Sequence, residues 1–115
     1  MIKRLEIGPR MSQAVVHGNT VYLAGQVADD TRADVAGQTR QVLATIDRLL
    51  AAAGSDKTRI LAATVYLADI DTFAAMNSSW EAWVAKGNTP ARATVEAALA
   101  SPDYKVEIVV TATVG

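Results

Sequence analysis

Apolar residues in this chain recur with two different periods, and the points where one period gives way to the other fix the order of its elements. Val35, Val42, Ile46, Leu49, Leu50 and Ala53 fall on one stripe of a helix running from about Asp34 to Ala53. Gln38, Gln41, Thr45 and Arg48 lie elsewhere on that helix, and Gly54 stands where a C-terminal cap is expected. Upstream the period is two. Ala14–Val16 and Val21–Leu23 flank His17-Gly18-Asn19-Thr20, a strand–turn–strand signal, and Lys3 to Ile7 can add a short first strand. Downstream, Ile60 to Leu67 reads as a buried strand. A second helix, capped by Asp69 or Asp71, carries the stripe Phe73, Met76, Trp80 and Val84 and ends at Gly87-Asn88. Two further strands follow, Thr89–Glu96 and Tyr104–Thr111, linked through Ser101-Pro102-Asp103.

The order is therefore β-β-α-β-α-β-β. Strand–helix–strand crossovers are right-handed, so helices joining parallel neighbours land on one face of the sheet. The expected architecture is a two-layer α/β (α+β) domain, a mixed sheet with two helices on one face. At 115 residues, half of them hydrophobic, it forms one domain spanning 1–115.

Strand alternation extends the reading to the other face. In the last strand Val106, Ile108, Val110, Ala112 and Val114 point one way and Glu107, Val109, Thr111 and Thr113 the other. In the strand before it, Ala93, Val95 and Ala97 oppose Arg92, Thr94 and Glu96. In the central strand Leu61, Ala63, Val65 and Leu67 oppose Ile60, Ala62, Thr64 and Tyr66, and neither side resembles a solvent face. The uncovered face is expected to pack against another copy, because leaving it wet forgoes several kcal/mol at about 25 cal/mol per Å². By the same alternation Arg92 and Glu107 are both expected to point into that interface.

Composition excludes whole classes of chemistry. No cysteine is present, so disulfides, thiolate nucleophiles and cysteine-ligated metals are out. The single histidine, His17, sits at a turn and cannot build a histidine-rich metal site; no metal or other cofactor is expected. Net charge is −1 with scattered charges, which argues against nucleic acid and anionic membranes as partners. No stretch approaches the ~20 apolar residues of a membrane span, and the N-terminal residues lack the apolar run of a signal peptide. The simplest location is cytoplasmic.

Two residues then stand out. Arg92, between Ala91, Ala93 and Thr94, has room around a guanidinium whose planar fork matches a carboxylate. It fits a substrate clamp and an intersubunit salt bridge equally well. Glu107 stands in an apolar strand, where a carboxylate is costly unless paired or working. It could hold Arg92, act as a general base toward water, or face solvent at a strand edge. Gly25 ends a strand where backbone N–H groups can face a ligand. Asn77 falls off its helix stripe and by itself reads as solvated. Trp80 and Trp83 read as core and interface.

Ser12-Gln13-Ala14-Val15, Gly18-Asn19, Ala24-Gly25-Gln26-Val27, Phe73-Ala74-Ala75-Met76-Asn77, Pro90-Ala91-Arg92 and Val106-Glu107-Ile108 together resemble the reactive intermediate deaminase (Rid, YjgF-like) family over nearly the whole chain. The resemblance implies a chorismate-mutase-like homotrimer with clefts between subunits. It also implies cofactor-independent hydrolysis of enamine and imine acids, such as 2-aminoacrylate, to 2-keto acids and ammonia. Arg92 then binds the substrate carboxylate, Glu107 places the attacking water, and Gly25 and Asn77 line the cleft. Two positions depart from the best-known members. Met11, after Arg10, stands where they carry tyrosine, and Ala24 stands where they carry serine. Thr94 replaces a frequent cysteine, at a position that can act through its backbone. Met11 and Ala24 make the expected pocket more apolar and suit larger imino-acid side chains. The alternative is a small-carboxylic-acid binding or regulatory module without turnover. A ribonuclease activity, also ascribed to the family, is disfavoured by the acidic pI, the lone histidine and the missing basic patch.

Overall fold

A computed structural model describes all residues from Met1 to Gly115. Strands β1 (Ile2–Ile7), β2 (Ser12–His17) and β3 (Thr20–Leu23) precede helix α1 (Val35–Ala52). Strand β4 (Ile60–Leu67), helix α2 (Phe73–Trp83), β5 (Ala91–Glu96) and β6 (Val106–Thr113) complete the chain. The expected element order holds, the short first strand included. The six strands form one sheet in the order β1-β2-β3-β6-β4-β5. Only β4 and β5 pair in parallel, joined by α2; all other pairs are antiparallel. The α1 crossover differs from the simplest expectation. β3 and β4 are parallel to each other but β6 lies between them, because both pair with it antiparallel.

Both helices pack on one face of the sheet. Ala14, Val21, Leu23, Ala63, Val65, Leu67, Val106, Ile108, Val110 and Ala112 join Val42, Ile46, Leu49 and Leu50 of α1 and Met76 and Trp80 of α2 in one buried cluster. Truncating a fully buried member such as Leu49 to alanine costs about 2–5 kcal/mol. Asp34 caps α1 by accepting from the Gly37 N–H at 2.8 Å, and Gly54 takes the left-handed conformation just past its end (φ 83°). Ser79 Oγ donates to the Ala36 carbonyl at 3.0 Å and fixes α2 against α1.

Four local expectations need correction. Gln38, set off the apolar stripe of α1 by the sequence, is fully buried with it. Its Nε2 donates to the Thr31, Ala33 and Asp103 carbonyls and its Oε1 accepts from the Lys105 N–H, so it staples α1 to the chain entering β6. A bulge between Ile60 and Ala62 breaks the alternation of β4: Ile60 turns into the core and Leu61 out, 52% exposed. Asp69 caps the short turn Ile70–Thr72 rather than α2, which starts at Phe73 without a side-chain cap. α2 also stops at Trp83, one residue before Val84 and well before Gly87.

Candidate active site

The sheet separates the two residues singled out for chemistry. β5 pairs with β4 so that Arg92 is level with Ala63, and Ala63 is level with Val110; both of these neighbours are buried under the helices. Arg92 therefore points to the helix side, as does Thr94, which is level with Val65. Glu107 is level with Tyr66, and Tyr66 with Val95, on the face that no helix covers. The expectation that Arg92 and Glu107 share a face is overturned. The reason is register: alternation within one strand orients its residues relative to each other, and only pairing with β4 assigns them to a face. Two strands at ~4.8 Å and three residues at ~3.3 Å put their Cα atoms about 14 Å apart, on opposite sides of the sheet.

Arg92 sits at the outer edge of the helix layer, because β5 is the last strand and α2 lies beside it. Its guanidinium carbon lies 5.1 Å from the centre of the Trp80 ring and 5.8 Å from that of Phe73. Arg92 makes no salt bridge, as is also true of Arg4, Arg10 and Arg40; the two aromatic rings against its guanidinium are what set it apart. Burial lowers its pKa below the ordinary arginine value, and the carboxylate of Glu81 opposes part of that shift. A guanidinium stays protonated at neutral pH even so. Arg92 is thus a half-buried cation held on aromatic faces with its donors unspent, a form that favours an incoming carboxylate. Asn77, expected off the stripe and solvated, is half-buried: it lies one turn after Phe73 and about one before Trp80, on the side of α2 that meets Arg92. Thr94 brings its backbone to the free edge of β5, while its Oγ1 is fully buried without a hydrogen-bond partner.

Glu107 is placed by Gly25. The segment after β3 rejoins the sheet at Gln26, which exchanges both backbone hydrogen bonds with Ile108 at 2.9 and 3.1 Å. Gln26 Nε2 donates to Gln13 Oε1 at 2.8 Å and to the Ala24 carbonyl at 3.0 Å, fixing Ala24-Gly25-Gln26. Gly25 then lies directly against the Glu107 side chain: a Cβ there would collide with Oε2 and come within 2.9 Å of Cδ. Glu107 also lines a shallow hollow of about 290 Å³ with Tyr66, Ala97, Leu99 and Val109. Met11, 53% exposed, shares with Gly25 a second hollow of about 440 Å³, whose rim carries Glu6 and Arg48, paired at 2.7 Å.

The candidate residues therefore fall into two separate groups. Arg92, Thr94 and Asn77 lie at the β5–α2 edge; Gly25, just after Ala24 at the end of β3, touches Glu107, while Met11 shares its hollow with Gly25 and with Thr45 and Arg48 of α1 rather than with Glu107. Sequence reasoning missed the Phe73–Trp80 cradle, although the two residues stand seven apart in a helix that precedes Arg92. It also missed Gln13 and Gln26 as the lock on Gly25, where only their place in a strand and its exit could have hinted at it. His17 is exposed at the end of β2, at the turn where the sequence placed it. No helix is long and apolar enough to cross a membrane.

Residues 1–114 match the Endoribonuclease L-PSP family. A RutC family protein from Haemophilus ducreyi is 47% identical over 114 residues, covering 99% of this chain and 97% of that protein. The 2-iminobutanoate/2-iminopropanoate deaminase of Rattus norvegicus is 35% identical over 103 residues, covering 84% of this chain and 74% of the rat protein. Among solved structures, a member of the YjgF protein family from Neisseria meningitidis superposes with a TM-score of 0.97 at 47% identity, covering 100% of this chain and 96% of that one. Matched end to end in sequence and fold, this chain belongs to the Endoribonuclease L-PSP family, the YjgF/Rid family that its strand and loop motifs resemble.

Proposed function

We propose that the protein is a hydrolytic deaminase of reactive imine and enamine acids, releasing 2-keto acids and ammonia, in clefts between the subunits of a homotrimer. The observation that carries the reading is Arg92, a half-buried guanidinium on two aromatic rings that makes no salt bridge within its own chain. The name of the rat relative, a 2-iminobutanoate/2-iminopropanoate deaminase, supports the substrate class. Because Arg92 and Glu107 lie on opposite faces of one sheet, a cleft that uses both takes Arg92 and Asn77 from one subunit and Glu107 and Gly25 from the next. The exposed Tyr22, Leu61 and Val95 supply apolar surface for such an assembly.

In this cleft the carboxylate of R–C(=NH)–COO⁻ pairs with the Arg92 fork, which holds the imine carbon in place for attack. Water adds to that carbon while Glu107 accepts a proton. Glu107 returns that proton to nitrogen, giving the carbinolamine R–C(OH)(NH2)–COO⁻; the hydroxyl proton then passes to nitrogen as the C–N bond breaks, releasing NH3 and leaving R–CO–COO⁻. No cofactor takes part. Imines hydrolyse unaided, so a hundredfold gain needs only about 2.7 kcal/mol, within reach of one charged clamp and one oriented water. Met11 and Ala24 suit side chains larger than methyl.

The test is competition for the imine. An amino-acid oxidase generates the imine, semicarbazide traps it, and the protein diverts it. Wild type is expected to reduce trapping, and Arg92→Ala is not. Silence of wild type across small, branched and aromatic imines sinks the deaminase reading. A second reading, a carboxylic-acid-binding module without turnover, draws on the separation of Glu107 from Arg92 within the subunit. It predicts keto-acid binding that survives Glu107→Ala.

A further inference from the structure

The remaining features of the molecule cluster behind Arg92. Trp80 is nearly buried, and its ring meets that of Trp83 at 5.5 Å and 55°. Trp83 is held in turn from α1 and from the turn before β4. Its Nε1 donates to Asp47 Oδ2 at 2.9 Å, its carbonyl accepts from Lys57 Nζ at 2.6 Å, and that ammonium lies 5.4 Å from its ring centre. The chain of contacts runs from α1 through two indoles to the guanidinium. A long arginine side chain on an edge strand ordinarily samples many rotamers and loses that freedom on binding. Here no carboxylate fixes it, so the aromatic faces are what orient its donors.

We propose that Phe73 and Trp80 are positioning residues: they clamp the Arg92 guanidinium in the orientation that receives the substrate carboxylate, with Trp83 and Asp47 bracing Trp80 from behind. This rests on the reading of Arg92 as the carboxylate-binding group. The clamp makes two demands that a merely structural role would not. Loss of the rings must free the guanidinium, and it must act on carboxylate binding more than on the chemical step.

The experiment pairs NMR of the Arg92 Nε–H with pyruvate binding and imine turnover in wild type, Phe73→Leu, Trp80→Leu, Trp80→Phe and Asp47→Ala. In wild type the Arg92 Nε–H resonance is expected to be shifted by the ring currents and ordered, unlike that of Arg40. Phe73→Leu, at a 40% exposed position that does not threaten folding, should reduce the shift and weaken pyruvate binding a fewfold. Trp80→Leu should weaken binding about tenfold, raising KM with a smaller change in kcat, and Trp80→Phe should recover most of it. Asp47→Ala should give a milder form of the Trp80→Leu spectrum. An Arg92 resonance that sits at the ordinary position and ignores Phe73→Leu overturns the clamp. So does a shifted resonance whose loss leaves pyruvate affinity and KM unchanged. If wild type neither turns over imines nor binds pyruvate, the deaminase reading fails. The clamp is then decided by the Arg92 resonance and its response to Phe73→Leu alone.

Discussion

Arg92 and Glu107 are both charged residues in strands of one sheet, yet the molecule treats them in opposite ways. Arg92 lies on the edge strand, under the rim of the helix layer, supported by rings and without an acid. Glu107 lies on a central strand, on the uncovered face, supported by the absence of a side chain at Gly25. The first site is made by adding aromatic surface; the second by removing a methyl group. The contrast sets the two residues apart within the chain and is what the proposed intersubunit cleft rests on. A sheet is a barrier one backbone thick, and groups on its two faces meet only through a second molecule.

The largest expected effect tests that separation. Arg92→Ala and Glu107→Ala should each be nearly inactive alone. Trimers refolded from an equal mixture should regain about a quarter of wild-type activity, since half of the subunits supply each partner at random. No recovery in mixed trimers places both residues in one subunit's cleft and breaks the comparison. Next comes Arg92→Lys, expected to lose about a hundredfold in kcat/KM because an ammonium cannot reproduce the bidentate fork. Retention of full rate by the lysine variant counts against the fork. Gly25→Ala should cost about tenfold or more by displacing the Glu107 carboxylate, and should cost little further when Glu107 is already alanine. Additive losses in that double-mutant cycle mean that Gly25 serves something other than Glu107.

Smaller effects concern stability. Arg92→Met relieves the desolvation of a half-buried cation but also removes its ring contacts and its attraction to Glu81, so the thermal midpoint should change little. A fall of more than about 4–8 °C, roughly 1 kcal/mol for a domain of this size, assigns Arg92 a structural role instead. Thr94→Val replaces a buried hydroxyl without a partner and should raise stability by about 1 kcal/mol, read by denaturant melts. An equal loss indicates that the hydroxyl is satisfied in the assembly.

Much of this molecule was legible before folding was considered in three dimensions. The two apolar periods fixed the element order, Asp34 and Gly54 marked the ends of α1, and short motifs carried the family. Local rules reach that far because caps, turns and stripes involve residues a few positions apart. Gln38 escaped them, since its partners lie up to 67 residues away. The bulge at Ile60–Ala62 escaped as well, because it is a property of the pair β4–β6 and not of either strand.

The candidate site divides along the same line. Sequence alone singled out Arg92, Glu107, Gly25 and Asn77 by residue type and motif. Tertiary structure decided which face each strand residue occupies, because facing is set by register with a neighbour. It turned Arg92 toward α2 and Glu107 away from it, to opposite faces of the sheet, where alternation within each strand alone had placed both on the uncovered face.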